Sequence, residues 1–188
     1  MRLRRKLQRL IDFSQDYFTL FGLPRRYRFD PATRDTLDAA YRALQRRVHP
    51  DRFAAAGEAE RRLALQSAAR VNEAYRALKD PVRRAQHLLS LHGVEALGET
   101  DTALPAEFLQ DQLARREALA EAEGEGDSGR LAKLLEETRA EAAGLETALA
   151  EHLDREGALE QARDELRRLR FLTKVGADIE TALAGIED

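Results

Sequence analysis

The chain has 188 residues, of which 43% are hydrophobic and 35% are charged, and it contains no cysteine. Its length is sufficient for one or two small domains, each with its own core. The lack of cysteine excludes disulfide bonds, thiolate metal sites and cysteine nucleophiles, and it fits a reducing compartment. No apolar run approaches the roughly 20 residues that a membrane span requires.

Charge is divided unevenly along the sequence. Residues 1–104 contain 20 Lys and Arg against 13 Asp and Glu, a net charge of +7, whereas residues 105–188 contain 11 against 21, a net charge of −10. This asymmetry indicates two modules with different partners. The arginines of the basic half are spread over several predicted helices without interleaved aromatic residues, so we expect no nucleic-acid partner.

The composition is rich in Ala, Leu, Arg and Glu, which predicts an all-α protein. Residues 1–15 form a basic amphipathic extension that lacks the apolar region of a signal peptide. A mitochondrial presequence and a solvent-covered extension are the two interpretations of this segment. Residues 16–21 are expected to form a short buried helix that is crowded with aromatic side chains and ends at Gly22.

A helical hairpin is predicted next. Asp30 and Pro31 open a helix, and Pro50 ends it near Val48 because proline restricts the residue before it. A connector at 53–58 leads into a long helix, followed by a shorter one from Pro81. The inward stripes predicted for the two long helices are Leu37, Tyr41, Leu44 and Val48, and Ala64, Ala68, Val71, Tyr75 and Leu78.

The second half is predicted to be an antiparallel three-helix bundle. Residues 94–104 lose the helical period and read as a linker. The three helices are expected from Pro105 to about 123, from the end of a loop at 124–129 to about 152, and from a weaker break near Asp154 onward.

The segment His49-Pro50-Asp51, which we call the corner, lies at the predicted tip of the hairpin. A catalytic interpretation finds no support, because none of the four serines is near it in sequence and the four histidines lack zinc-ligand spacing. Taken alone, the tripeptide would be an ordinary turn between two helices. Its basic flank makes it a surface for binding a negatively charged partner.

The first ninety residues resemble a J domain, the co-chaperone module that stimulates ATP hydrolysis by an Hsp70. The matching segments are DYFTLFGL at 16–23, RVHPDRF at 47–53, VNEAY at 71–75 and LKDP at 78–81. The resemblance implies core roles for Phe18, Leu44 and Tyr75. It also implies an Hsp70-binding set, namely His49, Pro50, Asp51, Arg42, Arg46, Arg47 and Arg52.

Three further stretches, at 85–93, 108–117 and 168–172, resemble the HscB family of J proteins in iron–sulfur cluster assembly. This resemblance implies that the bundle binds an IscU-type scaffold protein and that the J domain, at 16–93, delivers it to an HscA-type Hsp70. No cofactor, metal or membrane is implied. The implied scaffold-binding residues are Leu109, Leu113, Arg116, Glu117, Glu121 and Phe171, with the alternative that Leu109 and Leu113 belong to the core.

The chain departs from the family pattern at several positions. Gln110 and Ala114 stand where the family often has an apolar and an acidic residue, so the scaffold contact is expected to be differently balanced. The lack of an N-terminal cysteine-rich element favours a bacterial cytoplasmic member. A J protein with another client, or a helical adaptor with an incidental turn, are the alternatives.

Overall fold

The computed structural model describes residues 11–96 and 104–187, and all regular structure in these ranges is helical. Its contacts divide the chain into two compact units, Met1–His87 and Leu88–Asp188. The predicted all-α class is therefore confirmed. The α-helices are α1 Tyr17–Phe21, α2 Pro31–Val48, α3 Glu58–Lys79, α4 Pro81–Leu91, α5 Ala106–Glu125, α6 Ser128–Glu151 and α7 Leu159–Glu187.

Part of the predicted organisation lies outside the described residues. This holds for most of the basic extension at 1–15 and for most of the linker at 94–104. Among the helices that the structure does describe, none is long and apolar enough to cross a membrane.

Helix α1 is the short buried helix that the sequence predicts. The Asp16 carboxylate accepts the backbone N–H groups of Phe18 and Thr19 at 2.9 and 3.1 Å, which caps the first turn. Gly22 ends the helix with φ +68°, a left-handed conformation that glycine adopts without steric cost. Phe18 is fully buried, and its ring meets that of Phe29 edge-on at 6.2 Å.

The hairpin of α2 and α3 also follows the predicted signals. Asp30 caps α2 by accepting the Thr33 N–H at 2.7 Å, and the helix ends at Val48 as expected. A 3₁₀ turn at Pro50–Phe53 replaces part of the predicted connector. The residues of the predicted inward stripes are all buried or partly buried.

Polar side chains fix the register of this hairpin. The rings of Tyr41 and Tyr75 stack across the interface with their centroids 3.9 Å apart. The Tyr41 hydroxyl donates to Asn72 Oδ1 at 3.0 Å, and the Tyr75 hydroxyl donates to Asp38 Oδ1 at 2.8 Å. Two hydroxyls, one from each helix, thus bond to the opposite helix, and a slip of α2 along α3 would break both bonds.

The C-terminal unit contains the predicted antiparallel three-helix bundle, formed by α5, α6 and α7. Antiparallel pairing of α6 and α7 is marked by Arg139–Glu180 at 2.8 Å and, directly after the end of α6, by His152–Glu165 at 2.9 Å. A central hydrophobic cluster joins all three helices, with the buried residues Ala122, Leu131, Leu135, Val175, Ile179 and Ala182. This unit therefore has its own core.

The loop predicted at 124–129 is wrong in extent. Helix α5 continues through Gly124 to Glu125, and only Gly126 and Asp127 lie between it and α6. Gly126 adopts φ +65°, and Asp127 caps α6 by accepting the Arg130 N–H at 2.9 Å. The sequence signal misled because one of several glycines ends the helix, while the others are tolerated inside helices.

Two candidate binding surfaces

Hydrogen bonds within the corner hold it in a tight turn. Pro50 opens the 3₁₀ turn, in which the Arg52 N–H donates to the His49 carbonyl at 3.1 Å. The Asp51 N–H donates to His49 Nδ1 at 3.3 Å. Since Nδ1 accepts this bond, the neutral imidazole has its proton on Nε2.

The corner is also accessible to a partner. The side chain of His49 is 53% exposed and that of Asp51 is 88% exposed, although Nδ1 lies only 3.5 Å from the Asp51 carboxylate. Arg42, Arg46 and Arg47 are exposed on α2, which ends at the corner. The structure thus presents an imidazole and a carboxylate beside positive charges, in a shape suited to binding an acidic partner.

Arg52 differs from the other arginines of the predicted set. Its side chain turns back toward α2, and Nη1 donates to the Arg46 carbonyl at 3.0 Å. Sequence reasoning placed Arg52 among the outward charges, whereas the structure shows it bonded to the end of the preceding helix.

The second surface lies on α5 and α7. Leu109 is 46% exposed and Leu113 is 60% exposed, so the alternative that they belong to the core is not supported. They lie one helical turn apart. The inward positions beside them are taken by Phe108 and Gln112, both of which are buried.

Phe171 of α7 joins this surface to the core. It is partly buried against the central cluster, and its ring meets Phe108 edge-on at 5.9 Å. The Arg116 guanidinium lies 5.1 Å above the Phe171 ring, in a cation–π contact. Arg116 thereby covers part of an aromatic side chain that would otherwise face solvent.

The two predicted carboxylates of this surface differ in their partners. Glu117 is exposed. Glu121 forms an ion pair with Arg130 of α6 at 2.7 Å, close to the turn between α5 and α6. We call the six predicted residues, Leu109, Leu113, Arg116, Glu117, Glu121 and Phe171, the bundle surface.

Sequence reasoning missed a polar network on the inward side of α5. The Arg115 guanidinium donates to Gln112 Oε1 at 3.0 Å and to Glu141 of α6 at 2.6 Å. Gln112 is only 2% exposed. The signal was available in the spacing, because 108, 112 and 115 follow a helical period and place Gln112 on the same side as Phe108.

Two family models match the chain. A DnaJ domain model matches residues 16–87, and a model of the HSCB C-terminal oligomerisation domain matches residues 104–180. The co-chaperone protein HscB homolog of Azoarcus sp. (strain BH72) is 43% identical over 95% of this chain and 99% of its own length. The chain belongs to the HscB co-chaperone family. The HscB homolog of Cupriavidus taiwanensis is 48% identical over 93% of this chain and 97% of its own length.

Solved structures of the HscB family agree with this fold. HscB from Vibrio cholerae has a TM-score of 0.81 at 35% identity and covers 92% of this chain and 99% of its own. Human HscB has a TM-score of 0.83 at 28% identity, covering 91% of this chain and 83% of its own. The protein is thus a J-domain co-chaperone of the family that acts in iron–sulfur cluster assembly, and its J domain implies an Hsp70 partner.

Proposed function

We propose that this HscB-family co-chaperone binds an IscU-type scaffold protein on the bundle surface and delivers it to an HscA-type Hsp70, whose ATPase it stimulates through the corner. We assign residues 16–93 to the J domain, 94–104 to the linker and 105–188 to the scaffold-binding bundle. The chain itself catalyses no reaction and uses no cofactor, and it works in the bacterial cytoplasm. The observation that supports delivery most directly is the pair of exposed leucines on α5.

The corner and its flanking arginines supply the contact with Hsp70. Asp51 and His49 are exposed hydrogen-bonding groups on a rigid turn, so little conformational entropy is lost when they bind. The arginines attract an acidic surface and accelerate association. Stimulation of hydrolysis requires tighter binding to the hydrolysis-competent state of the Hsp70, and a tenfold preference corresponds to about 1.4 kcal/mol.

The bundle surface supplies an apolar contact with a charged rim. Leu109 and Leu113 are each about half exposed, so covering them adds roughly 1 kcal/mol apiece, half the value for a fully buried leucine. Phe171 and Arg116 form a packed aromatic and cationic anchor of the kind enriched at binding hot spots. Glu117 gives the rim a negative charge, whereas the charge of Glu121 is compensated by Arg130.

Both sites on one chain make delivery efficient. Once the scaffold is bound and the corner has docked on the Hsp70, the encounter between scaffold and Hsp70 becomes effectively intramolecular, and the local concentration of scaffold near the Hsp70 is of the order of millimolar for a short connection. The co-chaperone would therefore act without touching nucleotide or cluster.

Steady-state ATPase of the cognate Hsp70, with and without scaffold, tests this function. We expect co-chaperone and scaffold together to stimulate more than the product of their separate effects, and we expect replacement of His49, Pro50 and Asp51 by alanine to abolish the stimulation. Stimulation that ignores the scaffold would indicate another client. If the Hsp70 does not respond at all, the proposed function is wrong.

Scaffold binding is tested separately by calorimetry. Leu109→Ala combined with Phe171→Ala should weaken scaffold affinity about 30-fold, from the loss of two apolar anchors worth ~1 kcal/mol each. Circular dichroism should show an intact helical bundle. Leu65→Ala is the matched control, because Leu65 is 57% exposed on α3 of the N-terminal unit. Equal effects of the control and the double variant would contradict the assignment of the bundle surface.

A further inference from the structure

The last carbonyls of α2, like those of any helix, need donors from outside the helix. In an α-helix the carbonyl of each residue accepts the N–H of the residue four positions later. For the Arg46 carbonyl that residue is Pro50, which has no N–H. The corner therefore removes a helical donor from the last turn of the helix that supports it.

Neighbouring backbone donors are already used. The Asp51 N–H donates to His49 Nδ1, and the Arg52 N–H donates to the His49 carbonyl. The Arg52 guanidinium donates to the Arg46 carbonyl at 3.0 Å and so replaces the bond that Pro50 cannot make. A cation at this position also interacts favourably with the negative end of the helix dipole.

We infer that Arg52 is a positioning residue for the Hsp70-stimulating corner: its guanidinium supplies the donor that Pro50 lacks and so fixes His49 and Asp51 against the end of α2. This inference rests on the proposed function of the corner. The bond joins residue 46, before the corner, to residue 52, after it. The two ends of the segment that contains the corner are therefore held together.

Arg46 provides a matched comparison for Arg52. Both are exposed arginines close to the corner, and either alanine variant removes one positive charge. Arg46→Ala keeps the carbonyl that accepts the bond, whereas Arg52→Ala removes its donor. A difference between the two variants therefore reports the hydrogen bond and not the charge.

The first test titrates the full-length chain into an ATPase assay with an HscA-type Hsp70 at two salt concentrations. Arg46→Ala should raise the half-maximal concentration and weaken its salt dependence, because it removes one positive charge beside the corner. Arg52→Ala should in addition lower maximal stimulation about fivefold below that of Arg46→Ala, because a displaced Asp51 engages the Hsp70 in fewer productive complexes. Its half-maximal concentration and salt dependence should change as in Arg46→Ala, because the two variants lose the same charge. Identical profiles for the two variants would overturn the inference.

The second test uses the free chain and does not depend on any Hsp70. The amide and imidazole resonances of His49, which lies three residues from either substitution, should shift in Arg52→Ala and remain near wild type in Arg46→Ala, while both variants keep the helical circular dichroism of the wild type. Unchanged corner resonances in Arg52→Ala would show that the bond does not order the corner. If the wild-type chain fails to stimulate the Hsp70 but these resonances respond as expected, the proposed function fails and the positioning bond stands.

Discussion

Ser67 offers a test of how tightly the hairpin excludes water. It lies on α3, is 0% exposed, and its Oγ has no hydrogen-bond partner. Ala64, Val71 and Ala74 share its face of the helix and are fully buried, and none of them has a polar side-chain atom. Ser67→Ala should therefore remove a buried, unpaired hydroxyl from an apolar interface without creating a new contact.

The expected increase in the free energy of unfolding has three contributions. A buried hydroxyl without a partner costs about 1–3 kcal/mol, and alanine is a better helix former than serine by roughly 0.5 kcal/mol. Loss of the dispersion contacts of one oxygen offsets about 0.5 kcal/mol, since each contact is worth ~0.1–0.2 kcal/mol. We expect a net increase of about 1–3 kcal/mol in the free energy of unfolding of the N-terminal unit.

Urea denaturation of the full chain, followed by circular dichroism, measures this change, and amide exchange of α3 assigns it to the N-terminal unit. Thr138→Val is the matched control in the C-terminal unit. Thr138 is 1% exposed on α6, but its hydroxyl donates to the Leu134 carbonyl at 2.7 Å. This control removes a satisfied hydroxyl, so it should not stabilise the chain.

Two results would refute the reasoning on Ser67. A destabilising Ser67→Ala would mean that the hydroxyl has a partner in solution, such as a buried water. Equal stabilisation by Thr138→Val would mean that hydrogen bonding of the hydroxyl does not decide the effect.

Further predictions concern pH and helix ends. The Tyr17 N–H donates to His87 Nε2 at 3.2 Å, and burial holds the pKa of His87 below its ordinary value of 6.5. Below about pH 6.5 the unfolded chain binds a proton that the folded chain does not, so the free energy of unfolding should be highest above that pH and fall below it. His87→Gln should flatten this pH dependence, measured by denaturation at pH 7.5 and pH 5. Burial opposes ionisation of Asp16, but hydrogen bonds from Thr19 and Arg25 outweigh it and lower its pKa to about 2. Asp16→Ala should therefore lower the free energy of unfolding by about 2 kcal/mol at pH 7, and the difference from the wild type should shrink as pH falls from about 4 toward 2. Gly126→Ala should lower the free energy of unfolding by about 1 kcal/mol because the φ of Gly126 is positive. Gly124→Ala, inside α5, should raise it by up to ~1 kcal/mol, and thermal unfolding measures both changes.

Helix ends were predictable where a single residue type determines them. Asp30 with Pro31 opens α2, and Gly22 closes α1, because each residue meets a specific need of the backbone. The turn after α5 was less predictable, since several glycines competed for the one left-handed position. The position of this turn depends on how the three helices pack, which the local sequence does not determine.

The hydrogen bond of Arg52 to the end of α2 was not predictable from sequence for a different reason. Its charge and its position beside Asp51 match those of an outward contact residue. Only the path of the backbone through Pro50 brings its guanidinium to the Arg46 carbonyl. A charged side chain in a turn has two uses, as a ligand for a partner or as a donor to the backbone, and residue type does not distinguish them.

Helix α5 shows why the bundle surface needed a structure. The pairs Phe108 with Gln112 and Leu109 with Leu113 have the same spacing of four, so helical period alone allows either pair to face inward. Turning α5 by one residue, about 100°, would bury the leucines and expose the glutamine. The structure shows the opposite arrangement, held by buried Phe108 and by the bonds of Arg115 to Gln112 and Glu141. Two leucines are thus left in water by contacts on the other side of their helix, and covering them is free energy available to a partner.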